Sequence, residues 1–116
     1  MSKRSTKLLL RDILDSIANI EQYTKDFTED ELAQQFMVLH ATLYNFQIIG
    51  EASSQLPDNI YNENTEINWK KIKGFRNRLI HEYFGTDSRI VFEIITVYLP
   101  KLKSQIQNIL DNKNYE

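Results

Sequence analysis

Residues 31–57 read ELAQQFMVLHATLYNFQIIGEASSQLP, and the spacing of their apolar positions decides the fold class. Leu32, Phe36, Leu39, Leu43, Phe46, Gly50 and Ser53 step alternately by four and by three. That is one face of a helix with the 3.6-residue period, sustained for about six turns. A half-buried strand would alternate at every second residue instead, and almost no segment of this chain does so. The stripe predicts one long packed helix that closes near Leu56-Pro57. Thr28-Glu29-Asp30-Glu31 just ahead of it has the form of a capping box, in which the Thr28 hydroxyl and the Glu31 carboxylate each satisfy a free backbone amide. Gly50, Ala52 and Ser53 at the far end would let another backbone approach closely.

Working outward, the same period recurs on both sides. From about Ser5 to Tyr23, Leu10, Ile13, Leu14, Ile17 and Ile20 make a second stripe. The polar, Asn-rich run from Asp58 to Thr65 predicts a loop or a single short turn. Asn68 is a suitable N-cap for a third helix carrying Trp69, Ile72, Phe75, Leu79 and Ile80. Phe84-Gly85-Thr86-Asp87 interrupts the pattern, with Gly85 suited to end one helix and Thr86 or Asp87 to cap the next. Val91, Ile94, Ile95, Tyr98, Leu102, Ile106 and Ile109 form the last stripe. Pro100 within it removes one backbone hydrogen bond and predicts a kink. Four helices with one apolar stripe each predict an all-α, antiparallel up-and-down four-helix bundle, a single domain over residues 1–116.

Composition agrees. Three glycines and two prolines in 116 residues leave few turn-formers for a sandwich or barrel. The absence of cysteine excludes disulfides and thiolate metal sites, and suits a reducing cytoplasm, the location expected. Arg11 and Asp12 cut the run Leu8-Leu9-Leu10 too short for a signal core. No stretch nears the roughly 20 apolar residues that span a bilayer, so no membrane partner is expected.

The net charge of −2 conceals an uneven distribution. Between Asn68 and Ile80 stand five cations, Lys70, Lys71, Lys73, Arg76 and Arg78, and no acid; the rest of the chain is strongly acidic. Such a patch attracts phosphate locally. Next to it, Gly74-Phe75-Arg76-Asn77-Arg78-Leu79-Ile80-His81-Glu82-Tyr83-Phe84 gathers a histidine, two arginines, an amide and a phenol. RNA cleavage by the substrate's own 2′-hydroxyl needs no metal and no cofactor. It needs a group that moves a proton near neutral pH, the role suited to His81, and a cation for the charge gathering on phosphorus, suited to Arg76. Asn77, one turn before His81, could orient the imidazole or a phosphate. Lys70, Lys73 and Arg78 are suited to holding RNA phosphates, and Glu51 to pairing with Arg76 from the neighbouring helix. On an ideal helix Arg76 and His81 diverge by about 140°. A two-fold dimer in which each motif faces its copy would make a composite, doubly basic site. His40 and His81 are the only histidines, and neither has a carboxylate at metal-ligand spacing, so no metal site is expected.

The string Arg76-Asn77-(three)-His81-Glu82-Tyr83 resembles the signature of the HepT-like family of the HEPN superfamily. Ile49-Gly50-Glu51-Ala52 and Tyr98-Leu99-Pro100-Lys101-Leu102 are similar to the family as well, so the resemblance spans nearly the whole chain. It implies a dimeric helical bundle acting as a metal-independent endoribonuclease toxin on RNA, tRNA 3′ ends included. It also implies a minimal nucleotidyltransferase antitoxin that in some members transfers AMP to the motif tyrosine, here Tyr83. The alternative from another class is a catalytically silent helical module that uses the same basic patch to bind a nucleotidyltransferase or a nucleotide.

Overall fold

The computed structural model describes residues 4–74 and 88–112. Helix α1 (Thr6–Thr24) opens at Ser5, whose hydroxyl accepts from the Leu8 amide at 3.2 Å. Leu10, Ile13, Ile17 and Ile20 are buried along one side, as the stripe predicts; Leu9 joins them, while Leu14 is only half-buried. Each such side chain withdrawn from water contributes about 1.5–3 kcal/mol, which makes this face the spine of the core. The chain leaves α1 through Asp26 at φ 65°, a left-handed conformation that Asp tolerates better than most residues.

Helix α2 (Glu29–Gln34) begins with the capping box read from the sequence. The Thr28 hydroxyl accepts from the Glu31 amide at 3.2 Å, and the Glu31 carboxylate accepts from the Thr28 amide at 3.0 Å. The long helix expected from Leu32 to Ser53 is interrupted, however. Gln35 takes φ −103° and ψ 80°, and helix α3 (Phe36–Ser54) starts afresh beyond it. Neither proline nor glycine marks the break. Its effect is that α2 packs against both α3 and the start of the last helix, with Leu32 fully buried. Phe36, expected in the stripe, is 68% exposed, whereas Leu43, Phe46, Gly50 and Ser53 stay buried in register.

Helix α3 lies along α1, and among the described residues their contact is the most extensive. The seam is not wholly apolar. Asn45 donates to the Ala41 carbonyl at 2.8 Å and accepts from the Asn19 amide at 3.2 Å. Thr42 is fully buried, and among the described residues its hydroxyl oxygen has no hydrogen-bond partner.

The stretch expected as a loop or turn forms a short helix, α4 (Asp58–Glu63), which buries Ile60. Tyr61 donates its hydroxyl to the Ser53 carbonyl and so ties α4 to the end of α3. Helix α5, described over 69–74, follows.

The last helical rod comprises α6 (Ser88–Glu93), a π-helical turn (Ile94–Tyr98) and α7 (Leu99–Asn112). The Leu99 amide donates to the Ile94 carbonyl, five residues back, and the Thr96 hydroxyl donates to the Phe92 carbonyl at 2.9 Å. Pro100 therefore sits in the first turn of α7, directly after a turn of wider winding. The irregularity expected from the proline takes the form of this π turn ahead of it. Leu99, Ile106 and Ile109 pack inward, α7 lies against α1, and Lys103 reaches Glu21 at 2.9 Å. The described residues thus form an all-helical, up-and-down bundle, and no described residue lies in a strand.

Candidate nucleic-acid interface

The basic stretch starts on α5, and the reason for its placement is local. Asn68 caps the helix, its side-chain oxygen accepting from the Lys71 amide at 3.0 Å. Trp69 and Ile72 turn inward and pack against the core. The Trp69 indole N–H donates to the Asn64 carbonyl at 3.1 Å, and its ring meets Tyr61 edge-on at 5.3 Å between centroids. With that face anchored, Lys70, Lys71 and Lys73 stand exposed around the rest of the helix, Lys71 and Lys73 about 160° apart. The alternation follows from the helical period, and it turns a run of cations into a solvent-facing patch.

Lys70 and Lys73, expected from the sequence to hold RNA phosphates, are both on this surface. Lys71 enters the sequence reading only through the charge count, yet its ammonium makes a specific contact. Its Nζ lies 3.6 Å from the centre of the Tyr98 ring. Tyr98, a member of the last apolar stripe, is 40% exposed, while Leu99 beside it is 2% exposed. The π turn explains the exchange. It adds one residue to a turn, so Leu99 takes the inward position that plain α-winding would have given to Tyr98. Pro100 together with the Thr96 hydroxyl was the sequence signal available for this register shift.

Glu51 is exposed on α3, with the Gln55 side-chain amide 3.4 Å from its carboxylate. Arg76, Asn77, Arg78, His81 and Tyr83 lie outside the described residues, so the pairing of Glu51 with Arg76 lies outside them in part. Among the described residues no group of three or more His, Cys, Asp or Glu side chains could hold a metal ion. No described helix is long and apolar enough to cross a membrane.

A cavity of about 370 Å³ lies between the end of α4 and α7, lined by Glu63, Asn64, Glu66, Gln105, Asn108, Ile109 and Asn112. Its two carboxylates, with no cation among the described lining residues, make it a poor host for phosphate. The Lys70-Lys71-Lys73 surface has the opposite character.

The family model described as ribonuclease HepT-like matches residues 13–109. The chain is 36% identical over 107 residues to "Putative RNase MJ1380" of Methanocaldococcus jannaschii, covering 92% of this chain and 98% of that one. It is 32% identical over 107 residues to "Probable ribonuclease HepT" of Thermococcus cleftensis, covering 92% and 97% respectively. No solved structure matches significantly.

Proposed function

The chain belongs to the HepT-like ribonuclease family, and from that premise we propose that it is the metal-independent endoribonuclease toxin of a toxin–antitoxin pair. The observation that carries the reading is the solvent-facing lysine surface at the start of α5, which leads in sequence directly into Arg76-Asn77-(three)-His81-Glu82-Tyr83. Phosphate contacts of this kind hold a nucleic acid whatever its sequence, and the neighbouring motif supplies the chemistry.

In the proposed reaction the 2′-oxygen attacks phosphorus, the bond to the 5′-oxygen breaks, and the products carry a 2′,3′-cyclic phosphate and a 5′-hydroxyl. His81 takes the proton from the attacking hydroxyl, and water supplies the proton that the leaving 5′-oxygen gains. Arg76 binds the non-bridging oxygens as their charge rises, with Glu51 holding its guanidinium in place. Asn77 orients the imidazole, while Lys70, Lys73 and Arg78 hold flanking phosphates. The substrate is cytoplasmic RNA, tRNA included.

A homodimer brings two motifs together and completes the site. Phe36, Met37 and Tyr44, at 68%, 87% and 64% exposure along the outer side of α3, supply apolar surface suited to a second copy. The antitoxin is a minimal nucleotidyltransferase that transfers AMP to Tyr83. The phenol oxygen attacks the α-phosphorus of ATP and pyrophosphate leaves. The added phosphate and adenosine then fill a basic cleft and exclude RNA.

Expression in a bacterial host tests the reading. The wild-type chain should arrest growth and leave RNA fragments with cyclic phosphate ends, and His81→Ala should do neither. Growth arrest by His81→Ala equal to that of wild type would favour the silent binding module. Intact mass after incubation with partner and ATP should rise by AMP units in wild type and not in Tyr83→Phe.

A further inference from the structure

We propose that Tyr98 and Lys71 form a base-stacking subsite for a nucleotide of single-stranded RNA. The proposal rests on the ribonuclease reading and adds to it the surface of the last helical rod at its π turn. Three observations converge on it. Tyr98 is 40% exposed in the middle of an otherwise inward-facing stripe, directly beside the buried Leu99. The wider turn at Ile94–Tyr98 produces that exposure, and single π turns recur at functional sites. The Lys71 ammonium lies 3.6 Å over the ring, and Lys70 and Lys73 stand exposed on the same helical turn.

An exposed phenol ring with a lysine ammonium over it, on a helix carrying further exposed lysines, has the two parts that single-stranded nucleic acid recognition uses. The ring offers a face to any base, and the cations follow the phosphates. Lys71 serves both states. Without RNA its ammonium covers the ring through the attraction of a cation for a π-face. When a base stacks on Tyr98, the flexible lysine stem lets the charge move to the adjoining phosphate. Lys101, exposed one turn after Tyr98, extends the positive surface along α7. Lys71 precedes Arg76 by five residues and His81 by ten, so the subsite flanks the proposed reacting centre along the chain.

The test combines binding and kinetics. In the His81→Ala background, which leaves a substrate intact, fluorescence anisotropy with a labelled single-stranded oligoribonucleotide should show Tyr98→Ala binding about tenfold more weakly. Tyr98→Phe should keep the affinity, since the ring and not the hydroxyl stacks. Lys71→Ala should weaken binding and lower the slope of log K against log salt by about one phosphate contact, while Lys71→Arg keeps both. With His81 restored, Tyr98→Ala should raise KM for the oligonucleotide and leave kcat in place. Equal RNA affinity in wild type and Tyr98→Ala would overturn the subsite and leave the ribonuclease reading standing. So would a Tyr98→Ala variant altered only in oligomeric state or nucleotidyltransferase binding, which would make this face a protein interface. A wild-type chain that neither binds nor cuts RNA would overturn both.

Discussion

Helix α1 and the α6–α7 rod are written in the same code and built differently. In α1 the stripe Leu10, Ile13, Ile17, Ile20 runs inward without a slip, and each of these side chains is fully buried. In the last rod Val91 begins equally well, but the π turn at Ile94–Tyr98 advances the register by one residue. Leu99 then enters the core and Tyr98 emerges beneath Lys71. The first helix devotes its pattern to stability alone. The second gives up regular winding at one turn and gains an aromatic ring on the surface.

That contrast can be broken by mutation, beginning with the largest effect. Ile17→Ala in α1 should cost about 3–4 kcal/mol in urea unfolding, because a rigid helix pair cannot collapse around the cavity. Within the rod, Leu99→Ala should cost about 2–4 kcal/mol and Tyr98→Ala under about 1 kcal/mol, although the two residues are neighbours. Equal costs would mean that the π turn had not exchanged their places. Thr42→Val should stabilise the α1–α3 seam by about 1 kcal/mol, since it removes a buried hydroxyl that lacks a partner among the described residues. Thermal melts would show the gain directly.

The capping box carries effects of the same modest size. Thr28→Ala should cost about 1 kcal/mol. Glu31 is held below its ordinary carboxylate range first by the Thr28 backbone amide and then by the Thr28 hydroxyl. A depressed carboxylate stabilises the fold above its unfolded pKa and loses that contribution as the pH falls through its folded one. The melting temperature of wild type should therefore approach that of Glu31→Gln as the pH drops below about 4.5, the ordinary value for this group. The fully exposed position keeps the difference small.

These elements also show what the sequence could and could not disclose. Signals that act within a few residues were legible: Ser5 to Tyr23 as a helix, the Thr28–Glu31 box, and Asn68 as a cap. The break at Gln35 was not, because the apolar spacing from Leu32 to Phe36 runs straight across it. Only packing of α2 against the start of α6 distinguishes the two outcomes. The π turn was signalled in part by Pro100, yet its consequence for Tyr98 depends on which side of the rod meets the core. At the site, the exposure of Lys70 and Lys73 followed from helical period. The Lys71–Tyr98 contact joins residues 27 apart in sequence and needed the folded chain to reveal it. The motif residues Arg76, Asn77, His81 and Tyr83 remain proposals drawn from sequence chemistry and family membership.

The most direct test of the central claim is cleavage of a small-RNA pool by purified wild type and His81→Ala in the presence of EDTA. Wild type should cut with the chelator present, and His81→Ala should be slower by about a hundredfold or more. Cleavage by His81→Ala at the wild-type rate, or loss of wild-type cleavage on chelation, would contradict a metal-independent ribonuclease acting through His81.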